Sequence, residues 1–240
     1  MKKRLFLILI AGIVLFNFSI LVPDSDAEVP DAIRVGTTVS VSGKFSTEIG
    51  PFQRLFQAWV DEVNRQGGIY LKKYGRKLPL KLITYDDRSD AATARRFYER
   101  LVTVDRVDLL FGPYSSPLTF AASTASEKHQ VPFIAICANS PKVYNRGFKW
   151  IVCVIDAASR YTYRYWEMVK AEKKAHSVGF VVEDTLHPVG VYKGSRKLAE
   201  EAGLKVLSGE VLPPDIGDFT PVILKLKKLN PDIVYVSSNI

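Results

Sequence analysis

The sequence predicts an α/β protein made of two doubly wound, parallel-sheet lobes. Short apolar, β-branched runs alternate with stretches of helical periodicity from about residue 31 onward. Such alternation requires crossover connections, and crossovers set the strands parallel with helices on both faces. The alternation restarts near residues 155–160, after five strands, and the second series ends after three.

In the first series, "AIRVGTTV" (32–39) is a strand that stops at "SVSGKF". The next segment places Phe52, Leu55, Phe56, Trp59 and Val63 on one helical face, and Gly67 and Gly68 end it. "LPLKLITYDD" (78–87) is the second strand. Asp90 caps a helix that turns Ala94, Phe97, Leu101 and Val102 inward. "VDLLFG" (107–112) is the third strand, and Ser115 or Ser116 begins the third helix. "VPFIAIC" (131–137) and "FKWIVCVI" (148–155) complete the set. In the second series a helix through "YTYRYWEMVK" precedes the strand "HSVGFVVED" (176–184). A helix over about 190–202 ends at Gly203, and "LKVLSGEVL" is the next strand. Asp218 caps a helix with Phe219, Val222, Ile223, Leu226 and Leu229 inward, and "PDIVYVSSNI" is the last strand.

At the N-terminus, Lys2, Lys3 and Arg4 precede a mostly apolar run from Leu5 to Val22. Pro23 follows, then small Ser25 and Ala27 at the spacing a signal peptidase accepts. Export to the periplasm with cleavage after Ala27, so that the exported form begins at Glu28, is the expectation. An uncleaved inner-membrane anchor is the alternative, because 18 apolar residues fall within the range of about 17–25 that spans a bilayer. No Cys follows the run, where a lipid-anchored protein would carry one. The expected division is a signal peptide (1–27), a first ligand-binding lobe (28–155) and a partial second lobe (156–240).

The 240 residues carry a net charge of +8; residues 1–27 hold three positive and two negative charges, so their removal leaves +7. The Lys and Arg are scattered and no nucleic-acid motif occurs, so no nucleic-acid partner is expected. Cys137 and Cys153 sit in or beside apolar strands and read as free, buried thiols. Two Cys and three His without tight spacing give no zinc signature.

In an open parallel sheet, ligands gather at the carboxyl ends of the strands. That rule selects the loops 40–49, 86–90, 112–117 and 137–141, which offer hydroxyls, amides and bare backbone. A serine hydrolase needs a base beside its Ser. Yet "GPYSSP" lacks the G-x-S-x-G elbow, and none of His129, His176 and His187 falls at a strand end of the first series. No Walker loop occurs, and "GTTVSVSG" lacks the dinucleotide spacing. The Asp residues of "YDDRSD" read as caps and loop formers rather than metal ligands. No enzyme activity, cofactor or metal is expected. The loops suit an anion held by neutral donors, since a helix N-terminus presents free N–H groups and a partial positive charge. For Ser115 and Ser116 two readings stand: a ligand clip, or plain helix caps.

These stretches, in this order, resemble the branched-chain amino-acid (Leu/Ile/Val-binding) family of type I periplasmic substrate-binding proteins, which serve ATP-binding-cassette (ABC) importers. "IRVGTTVSVSGKFSTEIG" resembles the family's first strand and Ser-Gly loop. "PFQRLFQAWVDEVNRQGGI" ends in its Asn-x-x-Gly-Gly-Ile. "LITYDDRSDAATARRFYERLV", "LLFGPYSSPLT" and "VPFIAICANSP" match the segments that follow. The resemblance implies a type I periplasmic-binding-protein-like fold. It also implies a periplasmic solute-binding component that holds an amino acid or similar small carboxylate between two lobes and hands it to an ABC permease in the inner membrane. A membrane-tethered sensor domain of the same fold is the alternative.

By motif, Ser116 takes the hydroxyl position, with Ser115 beside it. Cys137, Ala138 and Asn139 take the positions after the fourth strand, Phe45 and Tyr114 are candidate apolar walls, and Asn239 falls near a cleft residue of the second lobe. Val189 of "HPVG" stands where the family often has a cleft-facing Tyr. Family members are considerably longer, so the second lobe is expected to be incomplete and weakly folded. The acidic residue that meets an amino acid's ammonium is expected to be missing, and the chain to be a fragment or truncated product. Apolar helix faces and a sheet edge should then be exposed.

Overall fold

The computed structural model describes residues 29–239. The N-terminal apolar run, the expected cleavage site and Ile240 lie outside the described residues. Two parallel sheets make up the fold. The first comprises β1 (Ile33–Val39), β4 (Leu80–Asp86), β5 (Leu109–Phe111), β6 (Phe133–Ala135) and β7 (Ile151–Cys153) in the order β4-β1-β5-β6-β7. The second comprises β8 (Ser177–Glu183), β9 (Lys205–Leu212) and β10 (Ile233–Ser237) in the order β10-β8-β9. Every strand pair within these two sheets is parallel. The predicted α/β class and parallel architecture hold, with three strands in the second sheet against five in the first.

The helices are α1 (Ser46–Ile49), α2 (Phe52–Arg65), α3 (Ala91–Thr103), α4 (Ser116–His129), α5 (Pro141–Tyr144), α6 (Tyr163–Glu172), α7 (Leu186–Glu201) and α8 (Thr220–Leu229). A 3₁₀ turn at Ala158–Arg160 follows the first sheet. Asp90 caps α3 as expected, its carboxylate accepting from Thr93 N at 2.7 Å. On α3 the buried residues are Ala94, Tyr98 and Leu101. Phe97, predicted inward, is only half-buried and lies flat on Tyr85 at 4.7 Å. Tyr98 goes to the core because its hydroxyl finds a partner in the Phe111 carbonyl and also accepts from Thr38 N, which makes burying a phenol tolerable.

Three further expectations are corrected. An antiparallel hairpin, β2 (Ile69–Leu71) with β3 (Arg76–Leu78), precedes β4, so the predicted strand 78–87 is two elements parted at Pro79. Three-residue strands carry too few alternations to show a period of two. Gly68 permits the entry: at φ 88, a Cβ there would stand 2.1 Å from the Leu78 carbonyl oxygen. On α2 the buried stripe is rotated toward Val60, leaving Leu55 and Trp59 exposed. On α8 only Val222 is buried, while Leu226 packs over Gly179 of β8. Phe219, Ile223 and Leu229, predicted inward, are exposed because two positions one turn apart suffice to seat the helix. Exposed apolar side chains also mark the edge strands, with Val152 on β7 and Val234 and Val236 on β10.

Each sheet has its own core. Tyr98, Leu101, Leu110 and Phe133 fill one beside the first sheet. Trp166, Phe180, Val178 and Val182 fill the other. Contacts nonetheless hold both sheets in one unit, Ala32–Ile240. The 3₁₀ turn at Ala158–Arg160 presses on α7 so closely that a Cβ on Gly194 would stand 1.9 Å from the Ser159 carbonyl oxygen.

Candidate functional site

The strand-end loops of the first sheet divide into two pairs. Loops 40–49 and 86–90 form a clasp. Asp87, wholly buried, accepts from Thr38 Oγ1 at 2.6 Å, Ser40 Oγ at 2.5 Å and Ser89 N at 3.0 Å. Asp86 accepts from Ser42 Oγ at 2.7 Å and from the backbone of Val41, Ser42 and Arg88. Burial pushes the Asp86 carboxyl up, but those hydrogen bonds outweigh it and hold it below the usual carboxylate range. Among the described residues no group of three or more His, Cys, Asp or Glu could hold a metal ion.

Loops 112–117 and 137–141 form the second pair. Ser115 is the N-cap of α4, at φ 74 and ψ 149, and neither it nor Ser116 makes a side-chain cap hydrogen bond. Ser116 Oγ instead accepts from Ser140 N at 3.2 Å, joining the two loops. Ser115 Oγ is buried without a partner. An unpaired buried hydroxyl costs about 1–3 kcal/mol, and a non-glycine residue in this region of φ and ψ costs on the order of 1–3 kcal/mol more. Ser115→Gly is expected to raise unfolding free energy by about 1 kcal/mol in urea melts; unchanged or lower stability would show that the backbone is not strained there.

A cavity of about 290 Å³ opens beside these serines, between the two sheets. Tyr114, Ser115, Ser116, Cys137, Asn139 and Asn239 line it, so six of the eight sequence-derived site residues converge. Phe45 does not reach it. That ring is buried, meets Tyr114 edge-on at 5.2 Å, and lines an adjoining cavity that shares Asn239. Ala138 lies behind the wall, wholly buried, its carbonyl accepting from the Tyr144 hydroxyl and Cys153 Sγ. Both cysteines are free, as expected, but half-buried rather than buried. Burial pushes the Cys137 thiol up.

Four lining residues escaped the sequence reading: Ile136, Ile155, Tyr161 and His187. His187 was missed because Pro188 delayed the predicted helix start to about 190. Pro is tolerated in a helix's first turn, and α7 begins at Leu186, which brings His187 to the carboxyl end of β8. Val189 points elsewhere: it packs in the second core and lines a different cavity.

The polar side chains of the far wall are largely committed. Asn139 Nδ2 donates to the Asp156 carbonyl at 3.0 Å, and its Oδ1 lies 2.7 Å from His187 Nδ1. Asn239 donates through N and Nδ2 to Glu183 and through Nδ2 to Thr185 Oγ1. Burial pushes Glu183 up, yet the hydrogen bonds from Asn239, Ser238 and Thr185 leave its carboxyl below the ordinary range. No histidine hydrogen-bonds either serine hydroxyl among the described residues. The cavity therefore offers neutral donors, a helix N-terminus and aromatic surface.

Comparison with known proteins identifies the family and agrees with the fold. The periplasmic binding protein family model matches residues 32–239. Leu/Ile/Val-binding protein homolog 7 of Brucella abortus is 25% identical over 214 residues, covering 86% of this chain and 52% of the relative. Homolog 8 of the same organism is 26% identical, covering 86% and 51%. The chain spans about half the length of the curated relatives it matches. Among solved structures, the branched-chain amino acid transporter substrate-binding protein LivJ of Streptococcus pneumoniae, in complex with isoleucine, superposes with a TM-score of 0.73 at 23% identity, covering 85% of this chain and 56% of that one. An ABC-transporter solute-binding protein of Rhodopseudomonas palustris in complex with 3,4-dihydroxybenzoic acid superposes with a TM-score of 0.70 at 18% identity, covering 86% and 54%. From its loops to its sheet order, the chain belongs to the periplasmic binding protein family, whose members bind solutes rather than catalyse reactions.

Proposed function

We propose that this chain is the solute-capturing component of an ABC importer in the periplasm, that it is not an enzyme, and that it holds an amino acid or similar small carboxylate in the cleft beside Ser115 and Ser116. The observation that carries this reading is the buried, unpartnered Ser115 hydroxyl at a left-handed backbone position, set at a helix N-terminus and lining a cavity between two sheets. A helix start with unpaired N–H groups and adjoining hydroxyls stabilises a carboxylate. The solutes named for two structural neighbours, isoleucine and 3,4-dihydroxybenzoic acid, both carry one. Residues 28–155 and 156–240 act as the two lobes, closing about the 3₁₀ turn at Ala158–Arg160, and an inner-membrane permease receives the solute. Among the described residues no helix is long and apolar enough to cross a membrane.

The test is calorimetric titration with a panel of amino acids and small carboxylates. Ser116→Ala removes one hydrogen bond to a charged group, worth roughly 1.5–3 kcal/mol, so affinity should fall about ten- to a hundredfold. It should also lower stability slightly, since Ser140 N loses its acceptor. Unchanged affinity with a lowered melting point would leave Ser116 a structural bridge and overturn the ligand role.

A further inference from the structure

Resting on that reading of the cleft, we infer that His187 sets its specificity: the Nε2 lone pair accepts a hydrogen bond from the solute, so the site favours small carboxylates that also carry a hydroxyl or ammonium donor over those that carry none. The inference follows from a chain of fixed protons. The Asp156 carbonyl only accepts, so the Asn139 group 3.0 Å from it is the amide nitrogen, and Oδ1 is what faces His187. Oδ1 only accepts in turn, so His187 Nδ1, 2.7 Å away, carries the proton. In the neutral ring Nε2 is then an acceptor.

The ring's environment supports this assignment. Burial lowers the His187 pKa, with Glu183 acting in the opposite sense, so the imidazole is neutral at pH 7. Tyr161 meets the ring edge-on at 5.6 Å and holds its plane. His187 lines the cavity, and among the described residues Nε2 has no hydrogen-bond partner. His187 and the serines line one cavity, so the cleft makes two opposite demands: the serine donors take an acceptor, and Nε2 takes a donor. Among the cavity's lining residues there is no carboxylate, and beside the lining hydroxyls and the Asn239 amide oxygen, His187 Nε2 adds an acceptor that carries no proton of its own.

The test uses the full chain labelled with ¹⁵N-histidine. Three histidines give three ring systems, and His187→Gln assigns the relevant one. At pH 7 its long-range ¹H–¹⁵N pattern should be that of the Nδ1-protonated tautomer. Matched pairs are then titrated: leucine against 4-methylpentanoate, and 4-hydroxybenzoate against benzoate. In at least one pair the donor-bearing member should bind about ten- to a hundredfold tighter and shift the His187 Nε2 resonance; which pair does so distinguishes ammonium from hydroxyl. His187→Phe, which keeps the ring and removes the nitrogens, should bring that pair close to parity. Equal affinity within both pairs, or an Nε2-protonated ring, overturns this inference and leaves the carboxylate site standing. Failure of all four solutes to bind overturns the cleft reading and this inference together.

Discussion

Trp166→Ala is expected to lower the unfolding free energy by about 3–5 kcal/mol, the usual range for emptying a buried aromatic site. Trp166 is 1% exposed and is the largest fully buried side chain. Its ring lies about 6 Å from those of Phe180 and Tyr235 and 4.8 Å from Tyr165. Its indole N–H donates to Thr162 Oγ1 at 3.1 Å, and that hydroxyl shares a 2.6 Å hydrogen bond with Ser195 on α7. The substitution therefore opens a cavity and removes the indole donor from the hydroxyl pair that links the start of α6 to α7. The damage should fall on the three-stranded sheet. Limited proteolysis of the variant should leave a core ending near residues 155–160, while the first sheet's near-ultraviolet signal persists. A single sharp transition with uniform protease resistance would show that the two sheets unfold as one.

Asp87→Ala should cost a comparable amount, about 3–5 kcal/mol, because it strands two buried hydroxyls and a backbone N–H that donate to a charged acceptor. Loop 40–49 then keeps Asp86 but loses the other of its two carboxylate anchors, which loosens the seat of Phe45 against Tyr114, so solute affinity should fall with stability. Denaturant melts and titration of the same variant read both. Neighbouring Asp86 adds a pH dependence. Its folded pKa is depressed, so its contribution is complete above the unfolded value of about 3.9 and is lost as pH falls through the folded one. Melting temperature should drop below pH ~4, and Asp86→Asn should flatten that acid limb.

Much of this was legible in the sequence because the signals were local. Apolar runs of six to ten residues that give way to polar or turn-forming residues located the strand ends, and the strand-end rule located the loops. Six site residues then met in space with no further information. What was not legible depended on partners distant along the chain. Leu55 and Trp59 share a stripe with Phe56, yet only the position of the sheet decides that the stripe turns toward Val60. Tyr98 was not among the residues read as inward, and its burial depends on Phe111 and Thr38, which supply partners for its hydroxyl. His187 was hidden by Pro188, whose helix-breaking reputation does not apply in a first turn. Asn139 offered an amide that suits a ligand as well as it suits protein, and only the presence of Asp156 and His187 on either side shows it to be spent.

The strands of the first sheet all fall within residues 33–153, and those of the second within residues 177–237. Synthesis at about 5–20 residues per second therefore delivers every strand of the first sheet several seconds before the last strand of the second. The serine wall of the cleft, with its anchored loops and its strained turn, is built while His187 is still to come. Among the described strands, those of the partner wall all follow those of the first sheet in sequence, so that wall meets strands already made.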